Sequence, residues 1–448
     1  MRRHTQPSGQ NLSGRFASAY SCILLLGLMA CVFVITLRGL PAQGQEQAQD
    51  STGSSDENAF LILQTNLQPP YQQLQNGILR GYSIAVLNCA FERIGVGYGI
   101  AIAPRQRNRE MVRNGQADGF FLARISSFMD QYAEPTLPLA LDKWVWISAA
   151  GQQGSFASSP TPDSLLSVGA ILGSNEAEWL AEQGYQEIVK APSINSLISQ
   201  VLAGRVEYAL VDKQTFEAAR DSMGHHEAQF NVQFERYAPL VVYIGREYTR
   251  LNPGLIASLN TALGACETLP MQLEDWERDL ITRQQLPAIR AMAANAELVG
   301  AVRSAMGGAQ IQPDAIVEID REWRQGSEGG IASPKATEIL ENPLSDILRA
   351  FQESDADNIA EIFVFDTNGA VIGMNRLTTD FDQSDEQKFE VTISHDPDIS
   401  QIADIYFDGS TRAFLSQITV PIINPETGDV IAAMTVGLDV SGALRPDS

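Results

Sequence analysis

From residue 59 onward the chain alternates short apolar runs with stretches of helical periodicity. "AFLILQT" reads as a buried strand, "SIAVLNCAFERIG" as a helix stopped by Gly95, "VGYGIAIAP" as a strand, "RNREMVRNG" as a helix and "GFFLAR" as a third strand. The same grammar then restarts. "LLSVGAIL", "EIVKAP" and "EYALVD" are predicted strands, separated by the predicted helices "SNEAEWLAEQG" and "SINSLISQVLAG". Strands alternating with helices of about ten residues indicate βαβ units whose parallel sheets are covered on both faces. Two extended aromatic stretches, "LPLALDKWVWISA" and "FERYAPLVVYIGRE", flank the second set, so the chain is expected to cross twice between two α/β lobes. "NPGLIASLNTALGAC" places Leu255, Leu259 and Leu263 on one helical face and is expected to return to the first lobe.

Beyond residue 284 the texture changes. "LPAIRAMAANAELVGAVRSAMGG" reads as one long Ala-rich helix ended by Gly307-Gly308, and "QGSEGGIASP" as a loop. After "ATEILENPLSDILRAFQES" the chain becomes strand-rich. The predicted strands are "AEIFVFD", "AVIGM", "KFEVTIS", "IADIYFD", "AFLSQITVPII" and "VIAAMTVGLDV", with turns at "DTNG", "DGST" and "PETGD". The expected organisation is a leader at 1–44, a polar linker at 45–57, a two-lobe unit at 58–284 and a separate α+β domain at 285–448. Within the two-lobe unit, the first lobe takes about 58–138 and 236–284 and the second about 139–235.

Two stretches share one pattern. "RNGQADGFFLARI" and "VLAGRVEYALVDK" each end a helix at a glycine and continue into an apolar strand that stops at a charge, Arg124 in the first and Asp212 in the second. In open α/β sheets, ligands gather outside the carboxyl ends of strands. A cation and an anion facing each other across a cleft suit a zwitterionic solute. Each residue also has a purely structural reading: Asp212 as the N-cap of a helix beginning "KQTFEAAR", and Arg124 as one half of a salt bridge.

Charge and cysteine usage narrow the function. The chain has 31 Lys+Arg against 54 Asp+Glu, a net −23, which repels a phosphate backbone and argues against nucleic acid. Arg2, Arg3 and Arg15 precede the uncharged run "YSCILLLGLMACVFVITL", and Ala42-Gln43-Gly44 offers a small-x-small cleavage site. Residues 1–44 therefore read as a signal peptide or as a membrane anchor through residues 20–37, and either places the remainder outside the cytoplasm. Outside this leader only Cys89 and Cys266 remain, either bridged or packed as small core residues. The acids of "DFDQSDE" lack EF-hand spacing, and His225-His226 has no supporting ligand pattern, so no metal or cofactor is expected. Neither a nucleophile elbow nor a catalytic triad motif stands out, and an enzyme is not expected.

The order and spacing of "QPPYQQLQNGILRGYSIAVLNCAFERIG", "VRNGQADGFF", "VGAILGSNEAEWL" and "LISQVLAGRVEYALVDK" resemble the extracellular solute-binding proteins of family 3, the polar amino-acid type with the type II periplasmic fold. The resemblance covers residues 57 to about 270. It implies that Asp212 holds a ligand ammonium and that the Gly173-Ser174-Asn175 turn binds a ligand carboxylate through backbone N–H groups. Ser174 and Asn175 thereby become candidate contacts. It implies that Tyr71 covers the ligand's apolar part, although Tyr71 also reads as packing the turn after Pro69-Pro70. The family's carboxylate-binding arginine stands nine residues before a proline, which falls on Ser126 here; Arg124 lies two residues earlier. The family's acid after the "G-F" motif is Ser83. Either Arg124 serves by a different loop path or the ligand is not a standard α-amino acid.

The last domain resembles extracytoplasmic PAS-like sensors of the PDC or Cache type. That resemblance implies a small-ligand pocket facing Thr378, Thr379, Asp380 and Asp385. Together the two resemblances imply a receptor that closes on a small polar or zwitterionic solute. It either delivers the solute to an ABC permease, or acts as a sensor whose last domain binds a second ligand or docks on a membrane signalling partner.

Overall fold

The computed structural model describes residues 60–444 except for the internal segments 152–159, 165, 267–270, 308–310, 312, 329–331 and 394–398. The expected leader and linker lie outside the described residues. Among the described residues no helix is long and apolar enough to cross a membrane.

The first lobe contains β1 (Phe60–Thr65), the hairpin β2 (Gln73–Gln75) and β3 (Ile78–Arg80), α1 (Tyr82–Ile94), β4 (Gly97–Ile102), α2 (Arg105–Arg113) and β5 (Gly119–Arg124). The long strand β6 (Ala133–Ala149) leads into the second lobe: β7 (Val168–Ile171), α3 (Asn175–Glu182), β8 (Ile188–Ala191), α4 (Ile194–Leu202), β9 (Tyr208–Asp212) and α5 (Lys213–Ser222). The equally long β10 (Phe230–Gly245) returns the chain to α6 (Arg246–Leu251) and α7 (Leu255–Gly264). One mixed eight-stranded sheet results, in the order β4-β1-β5-β10-β6-β9-β7-β8. Its ends are the two parallel triads read from the sequence, and its centre is the antiparallel pair of crossing strands, in register from Phe230↔Ala149 to Gly245↔Ala133.

Both faces of each lobe are covered, which explains why the central strands are apolar without alternation. In the first lobe Leu61, Leu63, Leu87 and Phe91 pack with Leu259 and Leu263 of α7, as the helical spacing requires. The Cys89–Cys266 disulfide, Cα–Cα 6.0 Å, ties α1 to the end of α7 and so holds together the two chain segments that make this lobe. In the second lobe Val145, Leu197, Val211 and Phe216 fill one face, while Trp144, Trp146, Leu180 and Leu210 fill the other.

The remaining helices are α8 (Asp275–Gln284), α9 (Leu286–Ala293), α10 (Ala296–Met306), α11 (Pro313–Glu328), α12 (Pro334–Leu340) and α13 (Pro343–Ser354). Then follow β11 (Ile359–Asp366), β12 (Val371–Met374), α14 (Gln387–Ile393), β13 (Gln401–Ile402), β14 (Tyr406–Asp408), β15 (Ala413–Ile423), β16 (Val430–Asp439) and α15 (Val440–Ala443). The strands form an antiparallel sheet ordered β12-β11-β16-β15-β13, with β14 pairing to β15. Leu273 and Ile281, which the sequence assigns to the first unit, share a core with Leu286, Leu344, Ile362 and Met434; Leu141 and Phe234 of the crossing strands join the same core.

Four local expectations are corrected. The long Ala-rich helix is two helices, because the Asn295 side chain accepts from the amides of Glu297 and Leu298 and starts α10 afresh. "QGSE" continues α11 to Glu328 rather than forming a loop. "KFEVTI" is helical, although its β-branched residues favour a strand. Phe389 and Ile393, one turn apart, both pack against the core that holds Trp323 and Phe381. "IADIYFD" is interrupted: Ile405 exchanges backbone hydrogen bonds with Met271, and Asp404 accepts from the Leu273 amide.

Candidate functional site

The carboxyl ends of β1, β5 and β9 and the start of α3 converge where the lobes face each other. After β1 the chain turns through Pro69-Pro70 to Tyr71, which is buried. Its carbonyl accepts from the Ser83 amide at 3.2 Å and the Ser83 hydroxyl at 2.9 Å. Gly81, at φ 140°, leaves room for this loop, since a Cβ there would lie 2.1 Å from the Tyr71 carbonyl oxygen. Ser83, standing where the resembled family has an acid, thus anchors Tyr71.

Asp212 ends β9 and caps α5, the structural role weighed for it. Its Oδ2 accepts from the amide and hydroxyl of Thr215, both at 2.9 Å. Its Oδ1 accepts from the Tyr71 hydroxyl and the Lys143 amide, both at 3.2 Å. A carboxylate offers about four acceptor positions, and each of the four has a donor within reach. Burial pushes the carboxyl up to about 6 against the opposing Thr215 bonds.

The Gly173-Ser174-Asn175 turn opens α3 as expected, with Ser174 Oγ accepting from the Ala177 amide. Asn175, fully buried, reaches across to the first lobe. Its Nδ2 donates to the Leu122 carbonyl at 3.0 Å, and its Oδ1 accepts from the Arg124 amide at 3.3 Å. Leu122 has φ 62°, unusual for a side-chain-bearing residue, and sits where the register between β5 and β10 shifts. This bulge turns the Leu122 carbonyl to the cleft, where Arg105 Nη1 also donates to it at 3.3 Å.

Arg124 pairs with Glu182, and Arg109 with Glu178, so both salt bridges run from the first lobe to the second. The Thr215 hydroxyl, whose proton goes to Asp212, also lies 3.3 Å from the Pro69 carbonyl of the first lobe. The lobes are therefore closed on each other, and Tyr71, Arg124, Asn175 and Asp212 all take part in the closure.

Two acids that sequence reasoning passed over complete the cleft. Glu176, in the first turn of α3, accepts the Asp212 amide at 3.1 Å. Asp142, on β6 and 0% exposed, accepts the Trp144 indole at 3.3 Å through Oδ2 and faces the Tyr71 hydroxyl. Burial, then the charges of Asp212 and Glu176, hold the Asp142 carboxyl well above the usual range. Burial and the Asp212 and Asp142 charges likewise hold the Tyr71 phenol up. The signal for Asp142 was present in "LALDKWVW", where an acid and a lysine interrupt an apolar crossing strand.

Lys143 faces the other way. Its ammonium lies 2.9 Å from Glu277, pairs with Glu274 and sits 5.2–5.7 Å from the rings of Trp276, Phe234 and Tyr237. Glu274 also meets Lys213, so both residues that follow the cleft acids in sequence reach the same glutamate.

In the last unit a groove of about 2000 Å³ lies between α7 and the sheet, lined in part by Thr378, Thr379 and Asp380. Asp380 accepts from Gln383 at 2.6 Å. Asp385 is exposed and does not line the groove. Sequence reasoning missed Glu361, which lines it from β11, accepts from Gln417 at 2.8 Å and is pushed up to about 7 by burial and then by Asp408. Among the described residues no group of His, Cys, Asp and Glu has metal-site geometry.

No protein-family model and no curated protein matches the sequence. Several solved structures resemble part of it. The arginine-, lysine- and histidine-binding protein ArtJ of Geobacillus stearothermophilus is 14% identical, with 47% of this chain and 89% of that chain covered and a TM-score of 0.38. A histidine kinase sensor domain with similarity to periplasmic binding proteins is 16% identical, with 52% and 95% covered and a TM-score of 0.40. The BvgS VFT2 domain of Bordetella pertussis is 16% identical, with 46% and 86% covered and a TM-score of 0.37.

Proposed function

We propose that the two lobes bind a small polar, amino-acid-like solute outside the cytoplasm by closing over it, with no covalent chemistry. The observation that carries this reading is the convergence of polar groups from both lobes at the strand ends: Tyr71, Arg105 and Arg124 from one side, Asn175, Glu176 and Asp212 from the other, with Asp142 between them on a crossing strand. Two crossing strands form a hinge about which such lobes part and close, and a solute shifts that equilibrium by its differential affinity for the closed form. The disulfide supports an oxidising compartment and hence export.

The role is that of a receptor, either for a transport permease or for signalling. One observation favours signalling: the last unit shares its core with Leu141 and Phe234 of the crossing strands, and Glu274 contacts the lysines that follow Asp142 and Asp212. Lobe closure and the last unit are thereby mechanically joined. The groove holding Thr379, Asp380 and Glu361 then offers a second, Cache-like ligand site.

A thermal-shift screen of the purified chain against amino acids, opines, polyamines and simple carboxylates tests this reading. A solute at a hundred times its dissociation constant adds about 2.7 kcal/mol to stability. A raised melting temperature with one solute class is expected; no response to any class would contradict a binding role.

A further inference from the structure

The cleft has an unbalanced charge inventory. Lining the lobe contact are three guanidinium groups, Arg105, Arg109 and Arg124, and five carboxyl groups, Asp142, Glu176, Glu178, Glu182 and Asp212, a formal difference of −2 with every carboxyl ionised. Lys143 does not redress it, because its ammonium is held by Glu274 and Glu277 on the far side of the strand.

Of these five acids, one has a buried oxygen without a hydrogen-bond partner among the described residues, and Arg124 Nε is a buried donor in the same condition. Asp212 accepts from the Thr215 amide and hydroxyl and the Lys143 amide and shares the Tyr71 proton with the Leu141 carbonyl, and Glu178 and Glu182 are paired with arginines. Asp142 Oδ1 is buried with no hydrogen-bond partner among the described residues. The nearby Tyr71 hydroxyl also faces the Asp142 carboxyl, but it has one proton and two closer claimants, the Leu141 carbonyl at 3.1 Å and Asp212 at 3.2 Å. Arg105 is committed to the Gln68 side chain and the Leu122 carbonyl. Burial and the neighbouring acids favour the neutral form of this carboxyl, and it ionises out of water only against a paired cation.

Resting on the solute-binding reading, we propose that Asp142 is the cleft's anionic anchor and that the solute is a small organic cation presenting an ammonium or guanidinium group to Asp142 Oδ1. Asp212 then serves as the scaffold that holds Tyr71 and the start of α5, and the ligand-binding carboxylate lies on the crossing strand.

Calorimetric titration of the full chain with L-arginine, L-lysine, putrescine, L-glutamine and L-glutamate tests the assignment, using the wild type, Asp142→Asn and Asp142→Glu. At least one of the three cations is expected to bind more tightly than glutamine and glutamate, with Asp142→Asn weakening it tenfold or more and Asp142→Glu retaining more of the affinity. A thermal melt of Asp142→Asn in the absence of solute, matching or exceeding the wild type, shows that the loss is not one of folding. Equal affinity of Asp142→Asn for the bound cation would overturn the assignment. Binding of glutamine or glutamate without the cations would overturn it while leaving the solute-binding reading in place. Failure of every probe on the wild type would overturn both.

Discussion

The Tyr71 hydroxyl and Asp212 Oδ1 meet at 3.2 Å, joining a loop of the first lobe to a strand end of the second. The same hydroxyl lies 3.1 Å from the Leu141 carbonyl on a crossing strand, so one phenol touches both lobes and the hinge. Tyr71→Phe keeps the ring and leaves these buried acceptors short of a donor, which costs about 1–3 kcal/mol. Urea unfolding should show a lower midpoint at unchanged slope, together with weaker solute binding. A wild-type midpoint would mean that the lobes are not held through this contact.

Lys143 is expected to be the most sensitive single residue of the joint between the lobes and the last unit. Glu277 is fully buried and bonded by the Tyr237 hydroxyl as well as by Lys143. Lys143→Met strands its charge, and breaking a buried pair on one side costs about 3–5 kcal/mol. Adding Glu277→Gln should restore part of the loss. A double-mutant cycle in unfolding free energy checks this, and additive losses would remove the pair from the account.

Glu361 gives a pH signature. Its folded-state carboxyl is raised from 4.5 to about 7, so the folded protein holds a proton that the unfolded chain releases. The corresponding stability is fully present below pH 4.5 and is lost as pH rises through about 7. For this buried group the difference is on the order of 3 kcal/mol. Glu361→Gln should flatten that part of the stability-pH curve relative to wild type. An identical slope in the two proteins would show that Glu361 does not titrate there.

The disulfide closes a separation of 177 residues that contains the entire second lobe. Cys89→Ser is expected to cost about 2–5 kcal/mol, read as a lower melting temperature under oxidising conditions. Reductant should lower the wild type toward the variant and leave the variant unchanged.

Much of the two-lobe architecture was legible because parallel strands buried on both faces leave apolar runs bounded by glycines, as at Gly115 and Gly204. The charges ending β5 and β9 marked the cleft for the same reason. The acid in "LALDKWVW" was legible as a charge interrupting an apolar strand but not by what it faces, and Glu361 was not legible at all, because within a strand burial and neighbours rather than local pattern decide a residue's role. The helix at Gln387–Ile393 was misread because the tertiary contacts of Phe389 and Ile393 override the strand preference of its β-branched residues. The break at Asn295 was not read, because the helix-favouring alanines around it suggest an unbroken helix.

The most direct test of the central claim is titration of the full chain with the solute that raises its melting temperature most, repeated on Asn175→Ala and on Asp380→Ala. One site for this solute per chain is expected, weakened by Asn175→Ala, which removes the bridge to Leu122 and Arg124, and unaffected by Asp380→Ala. Binding that survives Asn175→Ala and disappears in Asp380→Ala would place the working site in the groove of the last unit and contradict the cleft.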